Sequence, residues 1–218
     1  MNVEVGEAID EGDAEAAYRR LKFAISTLKL RPGSTVREVD LQHQLEIRRT
    51  PLREALQRLV YDGMVQIYPR HGIVIATPGL IEIQEMYEVR LALESAAAGL
   101  AALRRTADEL EELRRLNAEM SEGIQAEDYQ RWGAAHPPFH FLVAQCARNR
   151  TLERYVRHHW ILNAWLWNIY EDARGERVAS YTNHDAIVGA ISDGDAKATE
   201  AAMREHILEA KERLLSGL

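Results

Sequence analysis

Apolar residues recur at helical spacing along most of this chain, and two short β-rich runs between residues 64 and 76 interrupt that pattern. The first helical pattern covers Ala14–Leu30 and the second covers Val36–Leu45, with the turn Arg31-Pro32-Gly33-Ser34 between them. The two β-rich runs, Met64–Tyr68 and Ile73–Ala76, flank a basic loop that contains a glycine, which is typical of a hairpin. With the helix that precedes the hairpin, this order of elements predicts a winged helix-turn-helix.

The helix before the hairpin is predicted to begin at Thr50, whose hydroxyl can cap it, with Pro51 at the first helical position. It should end at Asp62-Gly63, because glycine readily adopts the left-handed conformation that terminates a helix. Its apolar face is formed by four residues at helical spacing, Leu52, Ala55, Leu56 and Leu59. The arginines outside this face can enter a major groove and bind guanine edges or phosphates, or they are solvated on an ordinary amphipathic helix.

From Thr77-Pro78-Gly79 onward the sequence predicts helices only, so we expect two domains, residues 1–77 and residues 78–218. The predicted helices are Leu80–Leu103, Thr106–Gly123, Ala126–Ala147 with an interruption, Thr151–Asp172, Glu176–Ser192 and Asp195–Leu215. They predict an all-α, antiparallel six-helix bundle in a mainly α protein. The Ala- and Leu-rich stretch Leu91–Leu103 is expected to be the most buried part of the bundle or to face a second subunit.

The distribution of charge supports the same division. Basic residues outnumber acidic ones between Tyr18 and Thr77, whereas acidic residues dominate the remainder, and the net formal charge is −7. A basic module beside an acidic one indicates a nucleic-acid-binding domain joined to another domain. Cys146 is the single cysteine, and no long apolar run or signal-peptide core is present, so we expect a cytoplasmic protein without a membrane segment.

The first module contains Arg49-Thr50-Pro51-Leu52-Arg53-Glu54-Ala55-Leu56, followed by Asp62-Gly63-Met64-Val65 and Arg70-His71-Gly72. In these residues it resembles the DNA-binding domain of the GntR superfamily. Arg48 and Leu52 stand where the family usually has serine and valine, and Val39 replaces an arginine that some members use, with Arg37 nearby. The resemblance implies contact with a palindromic double-stranded DNA operator by Arg48, Arg49, Thr50 and Arg53 of the helix and by Arg70, His71 and Gly72 of the wing.

The second module contains Val89-Arg90-Leu91-Ala92-Leu93-Glu94, Phe139-His140, Asn149, His184 and His206. In these residues it resembles the FCD ligand-binding domain of the FadR-like branch, and its six predicted helices point to the shorter VanR-type group. In many such domains an aspartate and three histidines hold a divalent metal ion beside a small carboxylate effector. The resemblance implies that His140, His184 and His206 bind the ion, which we expect to be of the zinc, nickel or manganese class.

His136 occupies the position of the family aspartate, four residues before His140. That spacing puts both rings on one helical face, but Pro137-Pro138 intervene, and a residue before proline is pushed away from helical angles. We therefore expect the helix to stop near Ala135 and to restart at Pro137. His136 is then either a fourth metal ligand or is displaced from the site.

Four residues are candidate effector ligands, namely Arg90, Asn149, Trp165 and Tyr170. The guanidinium of Arg90 can clamp a carboxylate bidentately, although a helix salt bridge to Glu94 explains the same residue. Trp165 and Tyr170 lie in an aromatic-rich helix, where they either belong to the core or wall a pocket.

These features favour a ligand-responsive transcription regulator over an enzyme. We expect the regulator to bind DNA as a homodimer, because helix-turn-helix proteins gain affinity from two half-sites. An effector in the bundle would then bias the spacing or mobility of the two DNA modules. A metal-dependent hydrolase built on the histidines is the alternative from another class, but no HExxH-like spacing supplies its general base. A DNA-binding regulator with a vestigial pocket is the third hypothesis.

Overall fold

The computed structural model describes residues 14–174 and 184–216 and divides the chain into two compact units, Met1–Pro78 and Gly79–Leu218. The division falls one residue beyond the boundary expected from the sequence. The described elements of the first unit are α1 Ala14–Ser26, β1 Thr35–Val36, α2 Glu38–Gln44, α3 Arg49–Tyr61, β2 Val65–Tyr68 and β3 Gly72–Ile75. Those of the second unit are α4 Leu80–Arg104, α5 Ala107–Gln125, α6 Tyr129–Cys146, α7 Arg150–Arg174, α8 Asp185–Asp193 and α9 Ala196–Leu215.

The first unit forms around the apolar face of α3, which packs against α1. The four residues predicted for that face are all buried, namely Leu52, Ala55, Leu56 and Leu59. Gly63 follows the helix with a φ of 71°, as the sequence predicted. Because the apolar face is turned inward, the polar side of α3 and its arginines remain exposed.

The predicted hairpin is present, and a third strand extends it into a small sheet in the order β1-β3-β2. Tyr68 pairs with Gly72 across the hairpin, and Val36 of β1 pairs with Ile73 on the other edge of β3. Gly72 has a φ of +99°, and a Cβ there would lie 2.9 Å from the carbonyl oxygen of Val36. Glycine is therefore required where the hairpin meets β1.

Two expectations about the ends of α1 and α2 are wrong. α1 ends at Ser26 and not at Leu30, because Leu28 adopts a left-handed conformation with a φ of 58°. Val36 belongs to β1 and not to the second helix. A strand of two residues is too short to show alternation, so the sequence pattern does not reveal it.

The start of α3 also differs from the prediction. The helix begins at Arg49, and Arg48 is its N-cap without a side-chain cap hydrogen bond, so Thr50 is not the cap. Pro51 is tolerated anywhere in the first turn, where backbone N–H groups have no intrahelical acceptor. The proline therefore locates the first turn of α3 but not its first residue.

In the second unit α4 is the central helix, and it packs against α6, α7, α8 and α9. Its alanines Ala97, Ala98, Ala101 and Ala102 are buried within this unit. A Cβ on Gly99 would overlap the side chain of Glu200 in α9, so small residues allow these helices to approach closely. The Ala-rich part of α4 thus serves the interior of its own unit, which is the first of the two roles expected for it.

α6 continues through Pro137 and Pro138, so the predicted interruption near Ala135 is wrong. The two prolines leave the carbonyls of residues 133 and 134 without their helical donors. The neighbouring side chains of Ala135 and Phe139 are 2% and 0% exposed, and this burial compensates for the lost hydrogen bonds. Tertiary packing therefore overrides the local preference that proline imposes on His136.

The predicted helix Glu176–Ser192 corresponds to α8 only in its second half, since residues 175–183 lie outside the described ranges. No helix in the described ranges combines the length and apolar character that a membrane-spanning segment needs.

Candidate nucleic-acid interface and metal centre

The residues predicted to contact DNA lie at two places in the first unit. Arg48, Arg49, Thr50 and Arg53 are exposed at the N-terminal end of α3. In the hairpin, Arg70 and His71 are exposed in the turn and Gly72 begins β3. The first group can present several hydrogen-bond donors from one helix end, and the second can present a basic loop.

Two of these arginines share a carboxylate that the sequence did not single out. Nε of Arg53 donates hydrogen bonds to both carboxylate oxygens of Glu38, at 3.0 and 3.1 Å, and Nε of Arg49 lies 4.0 Å from Oε2. Glu38 is in the first turn of α2, where an acidic residue is common because it complements the helix dipole. Arg37 is paired instead with Asp40 of the same helix, through two hydrogen bonds of 2.8 Å.

The C-terminal end of α3 is fixed to α1 by buried polar groups. Asp62 accepts a hydrogen bond from the hydroxyl of Tyr18, and Nζ of Lys22 lies 3.6 Å from the same carboxylate. Burial lowers the pKa of Lys22, although the charge of Asp62 opposes that shift. This network sets the direction of α3 relative to α1, and hence the direction in which the arginines at its other end project.

Four histidines converge inside the second unit, and all four are buried. His136 and His140 lie on α6, His184 directly precedes α8, and His206 lies on α9. One ring nitrogen from each lies within 4.8 Å of the others. Nε2 of His140 is 3.3 Å from Nε2 of His136 and 3.4 Å from Nε2 of His184. The structure therefore brings together all four candidates and does not displace His136.

Burial favours the neutral form of these imidazoles. It lowers the pKa of His136, His140 and His206, and neighbouring rings and the charge of Arg90 add to the shift at His136 and His206. A neutral imidazole keeps the lone pair that a metal ion requires. Nδ1 of His206 is buried and has no hydrogen-bond partner among the described residues.

Glu94 connects the histidine cluster to Arg90. Its Oε2 lies 2.8 Å from Nδ1 of His140 and accepts a hydrogen bond of 3.2 Å from Nε1 of Trp160, while Oε1 accepts one of 2.6 Å from Nε of Arg90. Burial alone raises the pKa of Glu94, but the charge of Arg90 and the contact with His140 outweigh it and hold the pKa at about 2. The ionised carboxylate lies beside Nδ1 of His140, and its charge favours a hydrogen on that nitrogen, which leaves the Nε2 lone pair to face the other rings.

The candidate effector residues have different surroundings. Arg90 is buried and forms a salt bridge with Glu94 on the same helix, so its contacts agree with the helix salt bridge and not with a clamp on a carboxylate ligand. Asn149 is exposed, and its Oδ1 accepts a hydrogen bond from the N–H of Leu152 as the cap of α7, so its position does not support a role in the bundle interior. Trp165 and Tyr170 are both 3% exposed.

Trp165 and Tyr170 differ in how they are buried. Tyr170 belongs to the main hydrophobic cluster, as expected for a core residue. Nε1 of Trp165 is buried without a hydrogen-bond partner among the described residues. A buried indole N–H normally has a hydrogen-bond acceptor. Trp165 is therefore a better candidate than Tyr170 for the wall of a pocket.

Comparison with known proteins gives matches for both units. The family model described as bacterial regulatory proteins, gntR family, matches residues 13–75, and the FCD domain model matches residues 85–209. An uncharacterized HTH-type transcriptional regulator of Agrobacterium vitis is 37% identical over 139 residues, which cover 62% of this chain and 81% of that protein. The Nta operon transcriptional regulator of Aminobacter aminovorans is 34% identical over 129 residues, which cover 58% of this chain and 60% of that protein.

A solved structure supports the fold over nearly the whole chain. The structure of E. coli McbR/YncC is similar with a TM-score of 0.77 and 20% identity, covering 93% of this chain and 97% of that chain. At this identity the similarity concerns the fold alone. Together with the winged helix and the helical bundle, the family matches show that the chain belongs to the GntR family of bacterial transcriptional regulators and carries an FCD domain.

Proposed function

We propose that this regulator binds a palindromic double-stranded DNA operator as a homodimer and responds to a small carboxylate effector held beside a divalent metal ion in the FCD bundle. The observation that carries the proposal is the convergence of four buried imidazoles in a unit that follows a winged helix with exposed arginines. The first feature suits an ion and its ligand, and the second suits DNA.

In this proposal the N-terminal end of α3 enters the major groove. Arg49 and Arg53 bind guanine edges or phosphates, with Arg48 and Thr50 beside them, because a guanidinium matches either partner. The turn that contains Arg70, His71 and Gly72 reaches the adjacent minor groove. Two copies related by a two-fold axis then read two half-sites of one palindrome.

Replacing Arg49 and Arg53 tests the DNA interface. Duplexes selected by the full-length protein from a random pool serve as probes. Arg53→Ala should weaken binding by about 1–3 kcal/mol if Arg53 reads a guanine. A phosphate contact would instead weaken all duplexes alike and lower the salt dependence. Arg19→Ala removes the same charge from an exposed site on α1 and is the matched control. Unchanged binding in both Arg49→Ala and Arg53→Ala, with the fold intact, would exclude α3 from the groove.

The histidine cluster suits a borderline divalent ion. A tetrahedral ion with ligand bonds of about 2.0–2.1 Å holds its ligand nitrogens about 3.3 Å apart. The Nε2 separations of 3.3 and 3.4 Å around His140 are close to that value. Of the expected classes, an all-imidazole ligand set favours zinc or nickel over manganese, which prefers oxygen ligands. A bound ion would supply the positive charge that attracts an anionic effector.

Single substitutions test the metal centre. Full-length protein should take up one ion per chain, and the ion should raise the melting temperature because it binds the folded state. His136→Ala should weaken metal binding as strongly as His140→Ala, His184→Ala or His206→Ala. His158→Ala, on α7 of the same unit, is the control and should leave metal binding unchanged. If none of the four substitutions alters metal content or the sensitivity of melting to chelator, the cluster does not bind metal.

A carboxylate effector is supported by the balance of charge around the cluster. The charge of Arg90 is already countered by Glu94, whereas an ion with four neutral ligands keeps both of its positive charges. Small carboxylates, but not the matching amides, should therefore raise the melting temperature of the metal-loaded protein. No stabilisation by any member of a panel of mono- and dicarboxylates would count against this class of effector.

The two other hypotheses make different predictions. A hydrolase needs a general base, and Glu94, with a pKa of about 2 and both oxygens engaged, is unsuited to that role. Hydrolysis of simple esters by the metal-loaded protein, lost in His184→Ala, would favour the enzyme. A regulator with a vestigial pocket would bind DNA but neither metal nor carboxylate.

A further inference from the structure

We propose that Glu38 is a specificity-determining residue of the DNA-binding unit, which holds Arg53 through Nε and directs the terminal nitrogens of that arginine at a guanine. This inference rests on the proposed function, since it requires the start of α3 to enter the major groove. It adds a role for Glu38, which contacts Arg53 and does not contact the base.

The geometry of the Glu38–Arg53 pair leaves the reading end of the arginine available. Both hydrogen bonds, at 3.0 and 3.1 Å, use Nε of Arg53. Among the described residues, neither terminal Nη nitrogen of Arg53 has a hydrogen-bond partner. A bidentate contact with O6 and N7 of guanine needs two parallel N–H groups, which the Nη pair supplies. Glu38 and a guanine can therefore bind Arg53 at the same time.

The carboxylate also changes what Arg53 gains from a phosphate. The side chain of Glu38 is 34% exposed and lies beside the guanidinium, so it offsets part of the positive charge that a phosphate would attract. A base contact depends more on orientation, which the pair fixes before DNA arrives. Glu38 should consequently favour the correct base over non-specific backbone binding.

Arg49 differs from Arg53 in its relation to the same carboxylate. Its Nε lies 4.0 Å from Oε2 of Glu38, and its side chain is 68% exposed, against 54% for Arg53. Arg49 is thus held more loosely and keeps more freedom to follow a phosphate. The shared carboxylate therefore assigns the fixed reading role to Arg53.

The same helix provides a matched control. Asp40 accepts two hydrogen bonds of 2.8 Å from Arg37, and both residues belong to the α2 region and not to α3. Asp40→Asn removes one negative charge two residues from Glu38 without removing a contact with α3. Any effect of charge alone should appear in both Asp40→Asn and Glu38→Gln.

The experiment uses the full-length protein and the duplex that it selects from a random pool. Equilibrium binding is measured for that duplex, for single-base variants of it and for a scrambled duplex, at several salt concentrations. The guanine read by Arg53 is the position at which Arg53→Ala loses discrimination. At that position Glu38→Ala should reduce discrimination by about tenfold, within what one bidentate base contact supplies.

Four further results are expected. Glu38→Ala should leave binding to the scrambled duplex unchanged or stronger, and Glu38→Gln, which keeps one acceptor oxygen, should recover part of the discrimination. Asp40→Asn should retain full discrimination. In the Arg53→Ala background, Glu38→Ala should have no further effect on discrimination, because the two residues act through one contact.

Two results would overturn the proposal for Glu38 alone. One is full discrimination in Glu38→Ala while Arg53→Ala loses it, and the other is an equal loss in Asp40→Asn and Glu38→Ala. Failure of the wild-type protein to select any sequence, or unchanged binding in Arg53→Ala, would overturn the DNA-binding role of α3 and this inference together.

Discussion

Glu94 determines how the buried charges of the FCD unit are arranged. It is ionised, with a pKa of about 2, and it contacts Arg90 on one side and His140 on the other. A carboxylate behind a metal-binding imidazole fixes the tautomer and the orientation of the ring. Through this contact, Glu94 prepares His140 to present Nε2 to the centre of the cluster.

Replacing Glu94 by glutamine keeps its size but removes its charge. We predict that Glu94→Gln lowers metal affinity by about 10–100-fold, since the support of the His140 ring is weakened. Competition with a chelating dye measures this on protein shown to be folded. Glu88→Gln, at an exposed position of α4, is the control and should bind metal normally. Unaltered affinity in Glu94→Gln would show that His140 needs no carboxylate behind it.

At the residue scale, the sequence was most informative where chemistry and family position agreed. Both point to His140, His184 and His206, and the structure brings these three side chains together. The sequence does not point to Glu38, because its partner Arg53 is distant along the chain and local patterns do not reveal such pairs. Asn149 shows the converse, since a match to the family pattern does not exclude a purely local role in capping.

Close packing of α5 on the start of α6 positions the segment that carries His136 and His140. A Cβ on Gly123 would lie 2.9 Å from the backbone nitrogen of Trp132 and 3.1 Å from the carbonyl oxygen of Asp128. Backbone atoms cannot move aside as a flexible side chain can. The distance between the two helices therefore depends on the absence of a side chain at Gly123.

A single added methyl group tests this contact. Gly123→Ala should lower the free energy of unfolding by about 1–3 kcal/mol through overpacking. Gly189→Ala is the control, because nothing lies within 4 Å of the added Cβ in α8. There alanine should raise the free energy of unfolding by about 0.5–1 kcal/mol, as expected for a helix interior. Denaturant unfolding measures both, and equal effects of the two substitutions would contradict the proposed packing.

At the element scale, hydrophobic periodicity predicted long helices better than short elements and their ends. The helices α4, α5, α7 and α9 lie close to their predicted ranges. The two-residue strand β1 was missed because it carries no periodic signal. The predicted break in α6 is wrong because the effect of proline on the preceding residue is a local preference. The burial of the residues around Pro137 and Pro138, which opposes that preference, is not visible in the sequence.

For the molecule as a whole, the buried histidines link stability to pH. Burial lowers the pKa of His136, His140 and His206, so below the ordinary histidine pKa the folded state binds fewer protons than the unfolded state. Their contribution is therefore fully present above a pH of about 6.5 and is lost as the pH falls below it.

Metal-free protein should consequently lose stability on acidification from pH 8 to pH 5. Thermal melting across this range measures the effect, and a saturating metal ion should move the loss to lower pH because only neutral imidazoles bind it. His206→Ala in the metal-free state provides the comparison, since it removes one of the three groups and should reduce the dependence on pH. A melting temperature that stays constant or rises on acidification would contradict buried, neutral histidines.

Native mass spectrometry of the full-length protein tests the central claim most directly, because one spectrum reports the metal content and the number of chains. After incubation with zinc and removal of excess ion, we predict a two-chain species with one ion per chain, and His184→Ala should lack the ion. A wild-type spectrum that shows chains without metal under these conditions would contradict the proposed metal centre. A spectrum that shows only single chains at micromolar concentration would contradict the homodimer.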